Sequence, residues 1–123
     1  MTALTGRHIL IVEDEMIVAL DLSDVVERLG CTAAVVGRVG KALEAAATQR
    51  FDAAILDLNL AGEPVYPVAD ALRRRETPFV IASGYGAEGI DAAYRDGPRI
   101  AKPYSARDVE TALLLALGLS KSA

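Results

Sequence analysis

The sequence predicts an α/β fold, a five-stranded parallel sheet with helices on both faces. Two observations predict it. Short apolar runs alternate strictly with longer helical patterns along the chain. The runs are continuous in hydrophobicity rather than alternating, as in strands buried on both faces.

The first strand is read at His8–Val12. A helix near 15–29 follows, because Val18, Leu22, Val25, Val26 and Leu29 recur at i, i+4, i+7, i+8 and i+11 and make one buried face. Gly30 supplies its stop. Thr32–Val36 forms the second strand and 40–49 the second helix; 53–56 forms the third strand and 64–75 the third helix. The fourth strand lies at 79–82. The helix expected after it, near 87–96, has the least regular pattern, since Gly84, Gly86 and Gly89 crowd its beginning. Arg99–Ala101 is the fifth strand. The last helix, 105–118, carries Val109, Ala112, Leu113, Ala116 and Leu117 on one face, with Ser105 and Asp108 placed to cap its start.

These elements use residues 1–123 as a single domain, with nothing left for an output domain, repeat or linker. With 52% apolar residues the chain can pack a core without disulfides or a structural metal. The single cysteine, Cys31, has no internal disulfide partner and suits a reducing cytoplasm, where it serves as a small buried hydrophobe. No apolar run approaches the length of about 20 residues that a membrane span needs, and residues 1–7 lack the apolar core of a signal peptide. The net charge of −4 argues against a nucleic-acid ligand. The one basic run, Arg73-Arg74-Arg75, falls where a helix ends and cations complement its dipole.

In an open parallel sheet, ligands bind at the carboxyl ends of the strands. Glu13-Asp14-Glu15 follow the first strand, Asp57 ends the third, Ser83 ends the fourth, and Lys102-Pro103 follow the fifth. The second ends in Val36-Gly37, without a functional side chain. In the order 2-1-3-4-5 the second strand is an edge, and the four strands with polar ends are neighbours. Glu13, Asp14 and Asp57 would then repel one another unless a cation sat among them. Oxygen-only ligands suit Mg²⁺. A nucleophilic carboxylate beside that ion, with a lysine and a hydroxyl facing it, meets the needs of phosphoryl transfer.

Ile11-Val12-Glu13-Asp14-Glu15, Leu56-Asp57-Leu58-Asn59, Ile81-Ala82-Ser83-Gly84 and Lys102-Pro103 together resemble, in order and spacing, the receiver domain of two-component response regulators. The resemblance covers nearly the whole chain. It implies a flavodoxin-like, doubly wound fold and Asp57 as phosphoacceptor for a sensor histidine kinase or a histidine phosphotransfer protein. It also implies that Asp14 ligates Mg²⁺ directly, that Glu13 acts through water, and that Asn59 lends its backbone carbonyl. Ser83 would bond the phosphoryl group and Lys102 would pair with it, next to a cis bond at Pro103. The stretches from Asp57 to Glu63 and from Pro78 to Gly86 resemble a narrower subgroup, whose fourth strand reads Phe-Ala-Thr-Gly, a bulky residue, then Tyr. That subgroup occurs largely in alphaproteobacteria, often as single domains beside HWE-type or related histidine kinases. Ile81 and Ser83 replace its Phe and Thr.

One position departs from the wider family. Most receivers place an aromatic switch residue three positions before the lysine, where this chain has Arg99. Arg99 is expected to stay near the surface, because its charge is costly to bury unpaired. Tyr85 and Tyr104 flank the expected site, and partner contact, gating and ordinary packing stay open for them. His8 is expected to be structural. The chain is expected to act on itself only, not as an enzyme, signalling through a downstream protein. A phosphohydrolase with an aspartyl nucleophile would want a second acid where Asn59 stands. A flavin or nucleotide carrier would need a phosphate cradle where Glu13-Asp14-Glu15 stand. A degenerate receiver, binding partners without phosphorylation, is the remaining alternative.

Overall fold

Five parallel strands make the sheet: β1 (His8–Val12), β2 (Thr32–Val36), β3 (Ala53–Asp57), β4 (Phe79–Ser83) and β5 (Arg99–Ala101). Their order is β2-β1-β3-β4-β5, as the strand ends required. The computed structural model describes residues 3–60, 62–84, 90–95, 97–102 and 104–119, apart from the side chain of Asn59. β3 and β4 each run one residue beyond the predicted ends, so that Asp57 pairs with Ala82 and Ser83 with Ala101 inside the ladder.

Each apolar strand serves two cores. Ile9, Ile11 and Ile55 pack with Leu22, Val25 and Val26 of α1 (Met16–Arg28) and with Val109 and Leu113 of α4 (Ala106–Ala116). Leu10, Val12, Ala54 and Leu56 face the other way, onto α2 (Val39–Thr48) and Val68, Ala69 and Leu72 of α3 (Tyr66–Arg74). Successive side chains of a strand point to opposite faces, which is why an unbroken apolar run marks a sheet covered on both sides. Burying each such Ile or Leu contributes about 1.5–3 kcal/mol.

The same alternation aims the chemistry. Glu13, Asp57 and Lys102 share their parity with Ile11, Ile55 and Ile100, so all three continue the face covered by α1 and α4.

Four α-helices stand among the described residues, and the fourth predicted helix is corrected. Of 87–96, residues 87–89 and 96 lie outside the described residues, and 90–95 carry only a 3₁₀ turn, Ala92–Tyr94. Ile90 is the one buried residue among 90–95, so these described residues carry no apolar stripe to hold a helix against the sheet. The sequence reading also began the third helix too early. Glu63 and Pro64 pair with Asn59 and Leu60 in a short antiparallel hairpin turned at Gly62, whose φ is 87°, and the helix starts at Tyr66 with Pro67 in its first turn.

The expected structural details are present. Ser105 and Asp108 form a reciprocal capping box. Cys31 is buried, with Sγ donating to the Leu4 carbonyl at 3.3 Å, and burial pushes its thiol pKa up. His8 stacks on Phe51 and shares a 2.8 Å hydrogen bond with Thr32. Arg73 and Arg74 occupy the last turn of α3. No helix among the described residues is long and apolar enough to cross a membrane.

Gly30 ends α1 with φ 91°, and a Cβ there would stand 2.8 Å from Thr5 Oγ1 and 3.1 Å from Thr5 Cα. Gly30→Ala is therefore expected to lower stability by about 1–3 kcal/mol, from left-handed strain and the clash together. Urea unfolding of both proteins measures the loss, and an unchanged midpoint would contradict it.

Candidate functional site

The site forms where β1, β3, β4 and β5 end together. The Glu13 amide donates to the Val36 carbonyl at 3.0 Å, carrying the chain straight on from β1. Its carboxylate turns inward, only 3% exposed, and Oε1 accepts the Glu15 amide at 3.0 Å. Asp57, 9% exposed, ends β3, while Asp14 stands exposed at the rim. Lys102 follows β5 and donates from Nζ to Asp57 Oδ1 at 2.9 Å and to Glu13 Oε2 at 3.4 Å. Its own amide bonds the Ser83 carbonyl at 3.0 Å, which fixes the lysine against the end of β4. Ser83 is itself buried.

The electrostatics follow from this crowding. Burial raises the pKa of Glu13; the Glu15 amide opposes the shift and the charge of Asp57 adds to it. Burial pulls the Lys102 ammonium down, but its hydrogen bond to Asp57 and the charges of Asp57 and Glu13 outweigh that and raise its pKa. Lys102 is thus held charged, and a charged lysine balances one of the three carboxylates.

Carboxylate oxygens of Glu13, Asp14 and Asp57 lie within 4.8 Å of one another. Three converging carboxylates, an all-oxygen donor set, fit a hard divalent cation. Asp14 also lines an open groove of about 680 Å³ with Gly37, Arg38 and Leu60, so the cluster is reachable from solvent.

Asn59 begins the hairpin two residues past Asp57, and its side chain is outside the described residues. Tyr85 and Pro103, with the bond that precedes it, lie outside them too, as do Ala61, Gly86 and Gly89. Arg99 is exposed on the edge strand, near Arg107 and Asp108. Tyr104 is half-buried against the α1/α4 core, and burial raises its phenol pKa far enough to keep it neutral. It forms a groove of about 500 Å³ with Ile17, Val18, Asp21 and Lys102. Sequence reasoning passed over Met16, Ile17 and Leu20 of α1, which are 72%, 83% and 61% exposed, with Ile17 lining this groove. The available signal was their position: three apolar residues of α1 off the stripe that the core uses.

A family model described as the response regulator receiver domain matches residues 9–113. The solution structure of SdrG from Sphingomonas melonis Fr1 is 44% identical, with a TM-score of 0.82, over 95% of this chain and 99% of that one. SdrG has also been solved in its BeF₃-activated conformation, which matches at 43% identity and a TM-score of 0.78 over 95% and 99%. The receiver domain of the PhyR response regulator from Erythrobacter litoralis is 25% identical, with a TM-score of 0.84, over 99% and 98%. A curated relative, the transcriptional activator protein PfeR of Pseudomonas aeruginosa, is 36% identical over 87 residues, which is 70% of this chain and 28% of that protein. These likenesses bear out the resemblance read from the motifs.

Two substitutions test the charge balance. Asp14→Asn removes an exposed carboxylate and is expected to weaken Mg²⁺ binding by about ten-fold. Lys102→Met removes the competing ammonium and is expected to tighten it by about five-fold at low salt. Isothermal titration with Mg²⁺ reads both, and changes of the opposite sign would refute the assignment of the cluster.

Proposed function

The chain belongs to the response regulator receiver domain family, and we propose that Asp57 accepts a phosphoryl group from a histidine of a sensor kinase or phosphotransfer protein in a Mg²⁺-dependent reaction. The observation that carries this reading is the lysine bridge. Lys102 Nζ lies 2.9 Å from Asp57 Oδ1 and 3.4 Å from Glu13 Oε2, with Asp14 beside them.

Each side chain has a task it can perform from where it stands. An Asp57 carboxylate oxygen attacks phosphorus, the P–N bond to the donor histidine breaks, and the imidazole nitrogen keeps the electron pair and takes up a proton. Glu13, Asp14, Asp57 and the Asn59 carbonyl are the groups that would hold Mg²⁺. When bound, that ion supplies positive charge against the phosphoryl oxygens. Lys102 orients Asp57 through their 2.9 Å contact before transfer, and afterwards its ammonium has a phosphoryl oxygen to pair with. The Ser83 hydroxyl, at the end of the neighbouring strand, is the group that closes on the phosphoryl group.

The chain is not an enzyme on this reading. Asn59 stands where a phosphohydrolase would place a proton donor, so the acyl phosphate persists until water removes it. Exposed Ile17 lines the Lys102–Tyr104 groove and, with exposed Met16 and Leu20 on the same helix, offers an apolar landing for a helical, histidine-bearing partner, including one of the HWE type. The working compartment is the cytoplasm, where Cys31 stays a thiol. Output then passes to a downstream protein. With Arg99 exposed, β5 presents no ring to the site, so the conformational signal leaves through Ser83 and Gly84.

Acetyl phosphate or kinase labelling with Mg²⁺ is expected to mark the wild type and to fall to background in Asp57→Asn. Lys102→Ala is expected to accept label but to bind its downstream partner no better than the unlabelled protein. Undiminished labelling of Asp57→Asn would overturn the acceptor assignment.

A further inference from the structure

Residues 90–95 form no α-helix, yet they are fastened to α3 by an aromatic clamp. Tyr66, the first residue of α3, stacks on Tyr94 of the 3₁₀ turn with ring centroids 4.4 Å apart and planes 16° apart. The Arg73 guanidinium sits 4.7 Å from the Tyr94 centroid and 5.5 Å from that of Phe79. Arg73 Nη2 also donates to the Ala93 carbonyl at 3.0 Å. The Tyr94 hydroxyl donates to Asp70 Oδ1 at 2.7 Å, and the Tyr66 hydroxyl accepts the Asp91 amide at 2.8 Å.

Both jaws of the clamp lead back to the acceptor. On one side, Tyr66 follows Val65, whose amide bonds the Leu58 carbonyl at 3.2 Å, and Leu58 is the residue after Asp57. The Leu58 amide in turn bonds the Ala82 carbonyl at 3.1 Å, next to Ser83. On the other side, residues 90–95 follow β4, which ends at Ser83, and Ile90 anchors them in the core. The segment carrying Tyr94 is therefore the next described stretch of chain after Ser83 and Gly84, and the clamp ties it to α3.

We propose that Tyr66, Tyr94 and Asp70 are positioning residues that set how readily Asp57 takes the phosphoryl group, by favouring the arrangement in which Asp57 is unmodified. The inference rests on the phosphoacceptor reading. The clamp is closed in the same structure in which Lys102 still holds the unmodified Asp57 at 2.9 Å. Contacts made in one state and not the other bias the equilibrium between them, so loosening the clamp shifts the population toward the phosphoryl-bound arrangement. The clamp also gives the chain a pair of rings coupled to β4 although β5 carries Arg99.

The test is the affinity for beryllofluoride, a phosphoryl mimic, measured by NMR titration with Mg²⁺ present. Tyr94→Phe and Tyr66→Phe keep the rings and remove one hydrogen bond each. Both are expected to bind the mimic about three- to ten-fold more tightly than the wild type, and Tyr94→Ala more tightly still. His8→Ala, which loses stacking at the opposite end of the sheet, controls for general destabilisation and is expected to leave the affinity unchanged. Equal or weaker binding by both Phe variants, or tighter binding by His8→Ala, would overturn the proposal while leaving the phosphoacceptor reading intact. Failure of the wild type to bind beryllofluoride would overturn that reading and the clamp with it.

Discussion

One cation among three carboxylates is the constraint on which the rest of this structure depends. Lys102 reaches Asp57 and Glu13 from the end of β5, while the acids come from the ends of β1 and β3. Buried charges persist only when paired, so the ladder must deliver all three strand ends to one place. Strand order does this, and side-chain parity turns Glu13, Asp57 and Lys102 to the same face. The two apolar cores are what hold the strands in that register. They fix the site's geometry without contributing to its chemistry.

The pairing also leaves the site unfinished. A single lysine faces three clustered acids, and the pKa of Glu13 is raised by its burial first and by the charge of Asp57 in addition. A structure built only for stability would have replaced one acid or added a second base. Retaining the cluster fits a divalent ion and, on the proposed reading, the phosphoryl group that would accompany it. On the proposed reading, Asn59 would likewise withhold the proton donor that would make an acyl phosphate short-lived.

Most of this was readable from sequence because the governing patterns are local. Continuous apolar runs located all five strands, and the polar residue after each run located Glu13, Asp14, Asp57, Ser83 and Lys102. Three features escaped for physical reasons. The hairpin at 59–64 depends on Gly62 adopting a positive φ, and Pro64 reads equally well as a helix start. The fourth helix was expected from the alternation of strands and helices, but among the described residues of that stretch Ile90 alone is buried. The clamp of Tyr66, Tyr94 and Arg73 joins residues 28 apart by stacking, and no short-range periodicity announces such a contact. Exposed Ile17 and Leu20 were hidden for the opposite reason, since apolar residues on an amphipathic helix are assumed to face the core.

The central claim is that Asp57 itself becomes the acyl phosphate, and reductive trapping tests it most directly. Borohydride converts an aspartyl phosphate to homoserine, which mass spectrometry of the digested protein locates by residue. After incubation with Mg²⁺ and acetyl phosphate, homoserine at position 57 alone is the result this account predicts. Homoserine at position 14, or at any other aspartate with position 57 unmodified, would contradict it.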